Sequence, residues 1–437
     1  MVLRNSILLS LIAAVSFFLV QFLTLGDYGV SWDEPTHFKR GQGYLWYFLT
    51  GDNDYQKLPP YDLTRAQNDP SYHERSIYQD DKHNAAFYRT IDGTHPPLAD
   101  ILASSTNMVF YQKLGILGDI ESYHLFEILI ASIAIAFLFL FVYESFGFTT
   151  ALFSTILFAT YPLFWAESHF NIKDPIETSW IILTLYFLWK GIKSSSVRFI
   201  LISSVFAGFA LATKFNVIFL PLIVLPWLFF VFKTHKKEFL SFVKTRRFFL
   251  LILFYPIITF AIYYISYPFL WDTPIANIGK VLTYYQRNAL DPAFANAVLP
   301  SWSFYAIRWV ILTAPPLVLF GLLLNIVLLR ESLTKHHGFL LLIYLWLLVT
   351  IARVSIPGVN IYGGVRQIME YIPAIAILAG VGINQMVTWL HGYMVKLKKP
   401  YNYLAIQPLT LSVIFAFSIY PLVRLHPNEN VYLNFLI

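Results

Sequence analysis

Long apolar runs alternate with shorter polar segments along almost the whole chain. The first run, residues 7–25, is long enough to cross a bilayer as a helix. The other runs that could span a membrane are residues 124–145, 148–166, 176–190, 197–213, 215–232, 248–266, 303–329, 338–356, 371–391 and 402–424. The pattern predicts an all-α polytopic membrane protein with about eleven transmembrane helices.

One further helical segment, residues 97–113, carries too many polar side chains for a good span. If it does not cross, the basic clusters between the spans all fall on the cytoplasmic side together with Arg4. These clusters are Lys190/Lys193/Arg198, Lys233/Lys236/Lys237/Lys244/Arg246/Arg247, Arg330/Lys335 and Lys396/Lys398/Lys399. We therefore expect 97–113 to be a re-entrant or surface helix that follows a long first external loop, 26–96.

The composition agrees with a single membrane-embedded domain over residues 1–437. Apolar residues form 57% of the chain and charged residues 13%, and the mean hydropathy is +0.58. A soluble domain would carry roughly a quarter charged residues. The absence of cysteine excludes disulfides and thiolate metal sites. The net charge of +6 does not indicate nucleic-acid binding, because the basic residues cluster between apolar runs.

Two adjacent acids, Asp33 and Glu34, follow the first apolar run within about eight residues. Acids at the membrane surface are costly and are usually functional. A structural interpretation is also open, in which Ser31 is the N-cap of a helix, Glu34 completes a capping box and Pro35 lies in the first turn. The two interpretations are compatible, because a capped helix would hold the carboxylates in place.

A second acidic turn lies between two later spans. Asp174 precedes Pro175, so it could simply cap the helix that follows. A cap does not explain why His169, Asn171 and Lys173 crowd the same turn. On the expected topology this turn and Asp33 lie on the same external face, where they could converge on one substrate.

Other candidate side chains lie in the remaining external segments. His95 precedes two prolines that force an extended entry into segment 97–113, and it has both a structural and a functional interpretation. Arg366 follows two glycines and is a permanent cation that could pair with a phosphate. Lys214, alone between two apolar runs, could snorkel to the surface or face the same anion. The tail, 425–437, is polar and has no assigned role.

Together these residues fit sugar transfer from a polyprenyl-phosphate carrier better than other reactions. The isoprenoid tail of such a donor stays in lipid, so the reaction needs a site at the membrane surface. It also needs a carboxylate to take a proton from the acceptor hydroxyl, which Asp33 could supply. A cation must stabilise the departing phosphate, and Arg366, Lys173 and Lys214 are the candidates.

The order of these segments resembles the GT-C membrane glycosyltransferases, in the branch of protein O-mannosyltransferases and the aminoarabinose transferase of lipid A. The features that carry the resemblance are Asp33-Glu34 after the first span, His95-Pro96-Pro97-Leu98, Ile172-Lys173-Asp174-Pro175, Gly363-Gly364-Val365-Arg366-Gln367 and the stretch from His426 to Tyr432. The resemblance implies inverting transfer on the external face of the plasma membrane. It makes Asp33 the base or acceptor-positioning acid, with Glu34 in support, and Asp174 a ligand of acceptor, metal or donor phosphate.

The expected partners are the lipid bilayer, a polyprenyl-phosphate sugar donor and an external protein, lipid or glycan acceptor. We expect acceptor-binding or supporting roles for His95, His169 and Asn171. A divalent metal ion stays open as a cofactor, with Asp33, Asp174, His95 and His169 as candidate ligands. Three alternatives also stay open: a transporter or flippase of a lipid-linked saccharide, a surface-glycan ligase or polymerase, and a catalytically degenerate relative. We expect the tail, 425–437, to be external, and C-terminal truncation of the chain stays open.

Overall fold

The structure is a computed structural model, and it describes residues 2–69, 71–92, 94–236, 241, 243, 245–290, 301–327, 338–359, 361, 363–396 and 403–436. The regular elements in these ranges are helices. The α-helices are α1 Val2–Leu23, α2 Glu34–Thr50, α3 Leu63–Asn68, α4 Ala85–Ile91, α5 Leu98–Asn107, α6 Asp119–Phe146, α7 Phe148–Ala159, α8 Pro162–Phe170, α9 Asp174–Lys193, α10 Val197–Leu211, α11 Leu220–Thr234, α12 Arg246–Ile265, α13 Phe269–Asp272, α14 Pro274–Leu290, α15 Tyr305–Thr313, α16 Pro316–Val327, α17 Phe339–Ala352, α18 Tyr371–Lys396 and α19 Tyr403–Leu425.

Each apolar run predicted to span the membrane is a helix or a pair of helices, which confirms the all-α polytopic fold. Within the described residues, six helices are long and apolar enough to cross a membrane, or up to eight if each of two bent pairs forms one span. Helices α10 and α17 are apolar but shorter. The six are α1, α6, α11 with its preceding 3-10 turn, α12, α18 and α19.

Prolines account for the two bends. Helices α7 and α8 meet at an angle of 58° just before Pro162, and α15 and α16 meet at 114° around Pro315 and Pro316. A proline lacks the amide hydrogen that would continue the helix, and it disfavours helical geometry in the residue before it. Both breaks therefore follow from the sequence.

The first long connector is more ordered than a loop, because it contains α2, α3 and α4. Helix α2 packs so closely on α5 that a side chain at Gly41 would collide with the Asp100 carbonyl oxygen. Segment 97–113 forms α5 and a π-helical turn, Met108–Lys113. Its polar residues Asp100, Ser104 and Asn107 are buried, and it is not one of the apolar spans found in the described residues.

Helices α6 and α9 lie side by side in the same direction. Near their C-terminal ends the Lys190 ammonium donates a hydrogen bond to Glu144 at 2.6 Å. Lys193 also reaches this end, where its ammonium donates to the Glu144 backbone carbonyl. At the other end, Asn171, just before α9, is a polar neighbour of Glu127 on α6. We call this second end, which also carries Asp33 and Arg366, the polar end of the bundle.

The basic cluster at Lys190 and Lys193 thus lies at the end of the bundle opposite Asp174. Six residues of the other predicted clusters lie outside the described residues: Lys237, Lys244, Arg330, Lys335, Lys398 and Lys399.

Candidate active site

Four connectors that are distant in sequence meet at the polar end. The Arg366 guanidinium donates a hydrogen bond to an Asp33 carboxylate oxygen at 2.8 Å. The Lys214 ammonium lies 2.6 Å from an Asp174 carboxylate oxygen and donates to the Gln367 backbone carbonyl at 2.9 Å. The segments that follow α1, precede α9, follow α10 and precede α18 therefore form one polar cluster, in which two acids face two cations.

Asp33 is the more accessible of the two acids. It occupies the N-cap position of α2, but its side chain makes no capping hydrogen bond. The interpretation of Ser31 as the N-cap is therefore wrong, although the Ser31 amide does donate to the Glu34 carboxylate at 2.6 Å. The Asp33 side chain is 49% exposed and is directed to Arg366 rather than to the helix.

A glycine turn presents Arg366. Gly363 and Gly364 have φ of +67° and +70°, a backbone conformation in which a side chain is strained. The Gly364 amide donates to the Tyr305 hydroxyl at 3.2 Å, and a 3-10 turn, Arg366–Ile368, follows. Partial burial would lower the pKa of Arg366, but Asp174, Glu167 and Asp33 raise it above its ordinary value. Arg366 is a fixed positive charge with 35% of its side chain exposed.

Asp174 is buried and held on two sides. The Asn171 amide nitrogen donates to Asp174 at 3.0 Å and to Glu167 at 2.6 Å. The Asn171 side-chain oxygen accepts from the backbone amides of Lys173 and Asp174, so Asn171, rather than Asp174, satisfies the start of α9. Burial would lower the pKa of Lys214, but Asp174 and nearby glutamates raise it.

Lys173 points away from this cluster. Its ammonium lies 3.2 Å from an Asp100 carboxylate oxygen and donates to the Pro96 carbonyl at 2.8 Å. Burial lowers the pKa of Lys173 to about 8. The Arg40 guanidinium also donates to Asp100, at 2.7 Å, and to Asp92, at 3.2 Å. Lys173 therefore belongs to a buried ion network that joins α2, α5 and the start of α9.

The two histidines predicted from sequence pack against aromatic rings. His95 contacts the hydroxyls of Tyr285 and Tyr284 at 2.9 and 3.3 Å, and burial lowers the pKa of its imidazole. The His169 ring stacks on Tyr28 with centroids 3.8 Å apart, and its Nε2 lies 3.2 Å from the Gln21 carbonyl. His95 thus connects the end of the first connector to α14, and His169 connects the end of α8 to the segment after α1.

The proposed metal ligands Asp33, Asp174, His95 and His169 do not form a group of three donors within the described ranges. Asp33 is paired with Arg366, and Asp174 with Lys214. The fit of these four residues to a divalent ion is therefore poor. The negative charges of Asp33 and Asp174 are balanced by the side chains of Arg366 and Lys214 instead. A different group, Glu34, His124 and Glu127, does bring its ligand atoms within 4.8 Å of one another.

The tail packs on the segment after α1, a role that its sequence left open. The His426 imidazole lies 3.0 Å from both an Asp27 and a Glu429 carboxylate oxygen. The Tyr28 hydroxyl donates to the buried Glu429 carboxylate at 2.9 Å. The presence of His426 and Glu429 three residues apart after the last apolar run is the signal that could have identified this contact.

Buried charges inside apolar runs were also missed. Glu177, one turn into α9, lies 3.7 Å from the Lys214 ammonium, and the Asn216 amide lies 3.4 Å from the same carboxylate. Arg353 and Glu370 form a buried ion pair that lines a narrow crevice together with apolar side chains of α9, α11 and α17. An acid or arginine within or beside an apolar run is the signal in these cases.

The tail contact is expected to depend on pH. Desolvation lowers the pKa of His426, but its hydrogen bonds to Asp27 and Glu429 outweigh this and raise the pKa above the ordinary value of 6.5. Because the folded-state pKa is raised, the stabilisation is complete below about pH 6.5 and is lost as the pH rises through the folded-state value. Hydrogen exchange of residues 426–432 should therefore become faster at alkaline pH.

The matched variant for this measurement is His426→Gln, which cannot gain the charge. After correction for the intrinsic pH dependence of amide exchange, the protection of the tail in this variant should not fall as the pH rises through the pKa of His426. An equal transition in the variant would contradict the role of His426.

The sequence and the fold were compared with known proteins. Residues 94–263 match the family model described as dolichyl-phosphate-mannose-protein mannosyltransferase. No curated protein sequence matches the chain.

Solved structures resemble the fold over most of the chain. ArnT from Cupriavidus metallidurans in the apo state is 17% identical, with a TM-score of 0.54 over 88% of this chain and 60% of that chain. ArnT bound to undecaprenyl phosphate is 16% identical, with a TM-score of 0.56 over 96% and 74%.

The archaeal oligosaccharyltransferase AglB from Archaeoglobus fulgidus, in complex with an inhibitory peptide and a dolichol-phosphate, is also similar. It is 12% identical, with a TM-score of 0.55 over 97% of this chain and 56% of that chain. This chain thus spans less than two thirds of the apo ArnT and AglB chains. The protein therefore has the all-α GT-C fold that it shares with these ArnT and AglB structures.

Proposed function

We propose that this protein is a membrane glycosyltransferase that moves a sugar from a polyprenyl-phosphate donor to an acceptor at the external face, with inversion. The observation that carries the proposal is the pairing of Asp33 with Arg366 beside the Asp174–Lys214 pair. An accessible carboxylate next to two cations fits a reaction that removes a proton and releases a phosphate.

The chemistry is a single displacement. The acceptor oxygen attacks the anomeric carbon of the donor as its proton passes to the Asp33 carboxylate, which acts as a general base. The bond between that carbon and the phosphate oxygen breaks, and polyprenyl phosphate leaves with the electron pair. Arg366 and Lys214 would supply the positive charge that stabilises the departing phosphate. Because one nucleophile replaces one leaving group on opposite faces, the anomeric configuration inverts.

In the resting arrangement Arg366 neutralises Asp33. A donor phosphate competes for the same guanidinium, and its arrival releases the carboxylate to accept a proton. Asp174 keeps Lys214 in place, while Asn171 holds Asp174. Lys173 has no direct part, because its ammonium is directed to Asp100 and the Pro96 carbonyl, away from the pair formed by Asp33 and Arg366.

The lipid nature of the donor is supported by the fold and by its relatives. The ArnT and AglB structures hold undecaprenyl phosphate and a dolichol-phosphate. In this chain the apolar crevice next to Arg353 and Glu370 lies near the Lys214 end of the cluster, where an isoprenoid chain could approach from the bilayer. The basic residues Lys190 and Lys193 at the opposite end support an external position of the polar end in the plasma membrane.

The proposed enzyme is one transmembrane domain, 1–437, and its acceptor is a protein, a lipid or a glycan. A surface-glycan ligase or polymerase would use the same site with a glycan acceptor. A flippase would move the donor across the bilayer and leave its sugar–phosphate bond intact.

The test measures two products together: the labelled sugar on the acceptor and the released polyprenyl phosphate. Purified chain in liposomes receives polyprenyl-phosphate sugars labelled in the sugar, with candidate acceptors on the outside. Arg366→Gln should lower kcat/KM by about 10²-fold, because it removes a charge that stabilises the leaving phosphate. The product should carry the inverted anomeric configuration.

The matched control is Arg65→Gln, which removes an exposed guanidinium from the first connector. It should retain the wild-type rate. Movement of intact donor across the bilayer without release of polyprenyl phosphate would favour a flippase and reject the transferase. Equal rates for Arg366→Gln and the wild type would reject the role of Arg366.

A further inference from the structure

A compact group of ionisable side chains lies directly beneath the candidate active site. Glu34, the first residue of α2, lies 3.0 Å from Nε2 of His124 on α6. Glu127, one turn further along α6, completes the group, and one ligand atom from each residue lies within 4.8 Å of the others. All three side chains are almost completely buried, with exposures of 1% for Glu34 and 0% for His124 and Glu127.

The group is short of hydrogen-bond partners. Neither carboxylate oxygen of Glu127 has one, and Nδ1 of His124 also lacks one. The polar neighbours that act on Glu127 include two more acids, Glu34 and Glu167. A buried carboxylate without a partner is costly, and a second carboxylate beside it adds repulsion. Such an arrangement calls for a cation.

We propose that Glu34, His124 and Glu127 bind a divalent transition-metal ion of the Zn²⁺ type. Imidazole and carboxylate are both ligands of this class of ion, and the two negative charges of the carboxylates balance it. Donors on one tetrahedral Zn²⁺ lie about 3.3 Å apart, given bonds of about 2.0–2.1 Å. The separation of 3.0 Å between Glu34 and His124 is close to that value.

The ion would position the active site rather than take part in transfer. Its ligands come from the start of α2 and from α6, and Glu34 is adjacent to Asp33 in sequence. The second Glu34 oxygen accepts from the Ser31 amide at 2.6 Å, so the loop from Ser31 to Glu34 would be fixed to α6 through one ion. The Asp33 side chain itself stays outside the group, paired with Arg366.

The test measures metal content rather than activity, so its outcome is independent of the proposed function. Full-length protein is purified in detergent, freed of any affinity tag, incubated with Zn²⁺ and passed through a desalting column. Elemental mass spectrometry should find about one Zn²⁺ per chain in the wild type. Glu127→Gln should bind Zn²⁺ about 100-fold more weakly and lose it on the column.

Two control variants show whether the ion is held by this group or by another acid. Glu74→Gln, at an exposed position of the first connector, should retain the ion. Asp33→Asn should also retain it, because Asp33 is not a ligand. Loss of the ion in Asp33→Asn with retention in Glu127→Gln would place the metal at the candidate active site and overturn the proposal.

A second measurement uses the wild type alone, in case Glu127→Gln does not fold. A strong chelator should lower the melting temperature in detergent, and Zn²⁺ should restore it where Mg²⁺ does not. A wild-type protein that holds no Zn²⁺ and whose melting temperature does not respond to the chelator would overturn the proposal. In that case Glu34 and Glu127 share a proton instead.

Discussion

Asp33→Asn is expected to lower the rate of sugar transfer by about 10²–10⁴-fold, the contribution typical of a general base. The asparagine side chain has the same size and can still accept a hydrogen bond from Arg366, so the local structure should persist. Its amide cannot accept the proton of the acceptor hydroxyl. The loss should therefore appear in kcat, while the KM for the lipid donor does not rise, because a neutral side chain competes less with the donor phosphate for Arg366.

Asp272→Asn is the matched control. Asp272 is an exposed acid that pairs with Arg89 on the surface, away from the Asp33–Arg366 pair. This variant should transfer sugar at the wild-type rate. If Asp33→Asn also kept the wild-type kcat, the assignment of Asp33 as the base would be wrong.

The eleven apolar runs were predictable as helices because each is a long stretch of apolar residues, although only six helices of the described residues, or eight spans with the two bent pairs, are long and apolar enough to cross a membrane. Each run became a helix or a bent pair, and the prolines at the two bends were visible in the sequence. The topology also grouped Asp33, Asp174, Lys214 and Arg366 on one face, and the structure brings these four together at one end. The side of the membrane on which a loop lies depends on the number of spans before it, so the order of apolar runs and loops can predict it.

The direction of single side chains was not predictable in this way. Lys173 and Asp174 are neighbours, yet Lys173 turns to Asp100 and Asp174 turns to Lys214. The direction of Lys173 depends on Asp100, a residue of α5. In the sequence alone, the charge of Asp100 indicated only that its segment is a poor membrane span. A short sequence motif does not indicate which distant charged residue each of its side chains will pair with.

Long-range partners were missed for the same reason. Glu34 was expected to support Asp33, but its contact with His124 joins residues 90 positions apart. His124 and Glu127 lie at the start of the apolar run 124–145. Because the run is long and mostly apolar, it was interpreted only as a membrane span. Two ionisable residues three positions apart share one face of a helix, and this spacing was the available signal.

Asp100→Asn is expected to reduce the free energy of unfolding by about 3–5 kcal/mol, the usual cost of removing one partner from a buried ion pair. Asp100 has no exposed surface and lies against Arg40, Lys173 and His37. Burial would raise the pKa of Asp100, but Arg40 and Lys173 hold it well below its usual range. Thermal unfolding in detergent measures the loss.

Asp69→Asn is the control for this change, because Asp69 pairs with Arg65 at the surface with 39% of its side chain exposed. Such exposed pairs contribute little to stability, so the control should unfold close to the wild-type temperature. An equally small effect of Asp100→Asn would mean that water or protonation already compensates the buried charges. A large effect would show that the ion network joining α2 to α5 and to the start of α9 stabilises the packing of these helices, on which the position of Asp33 at the start of α2 depends.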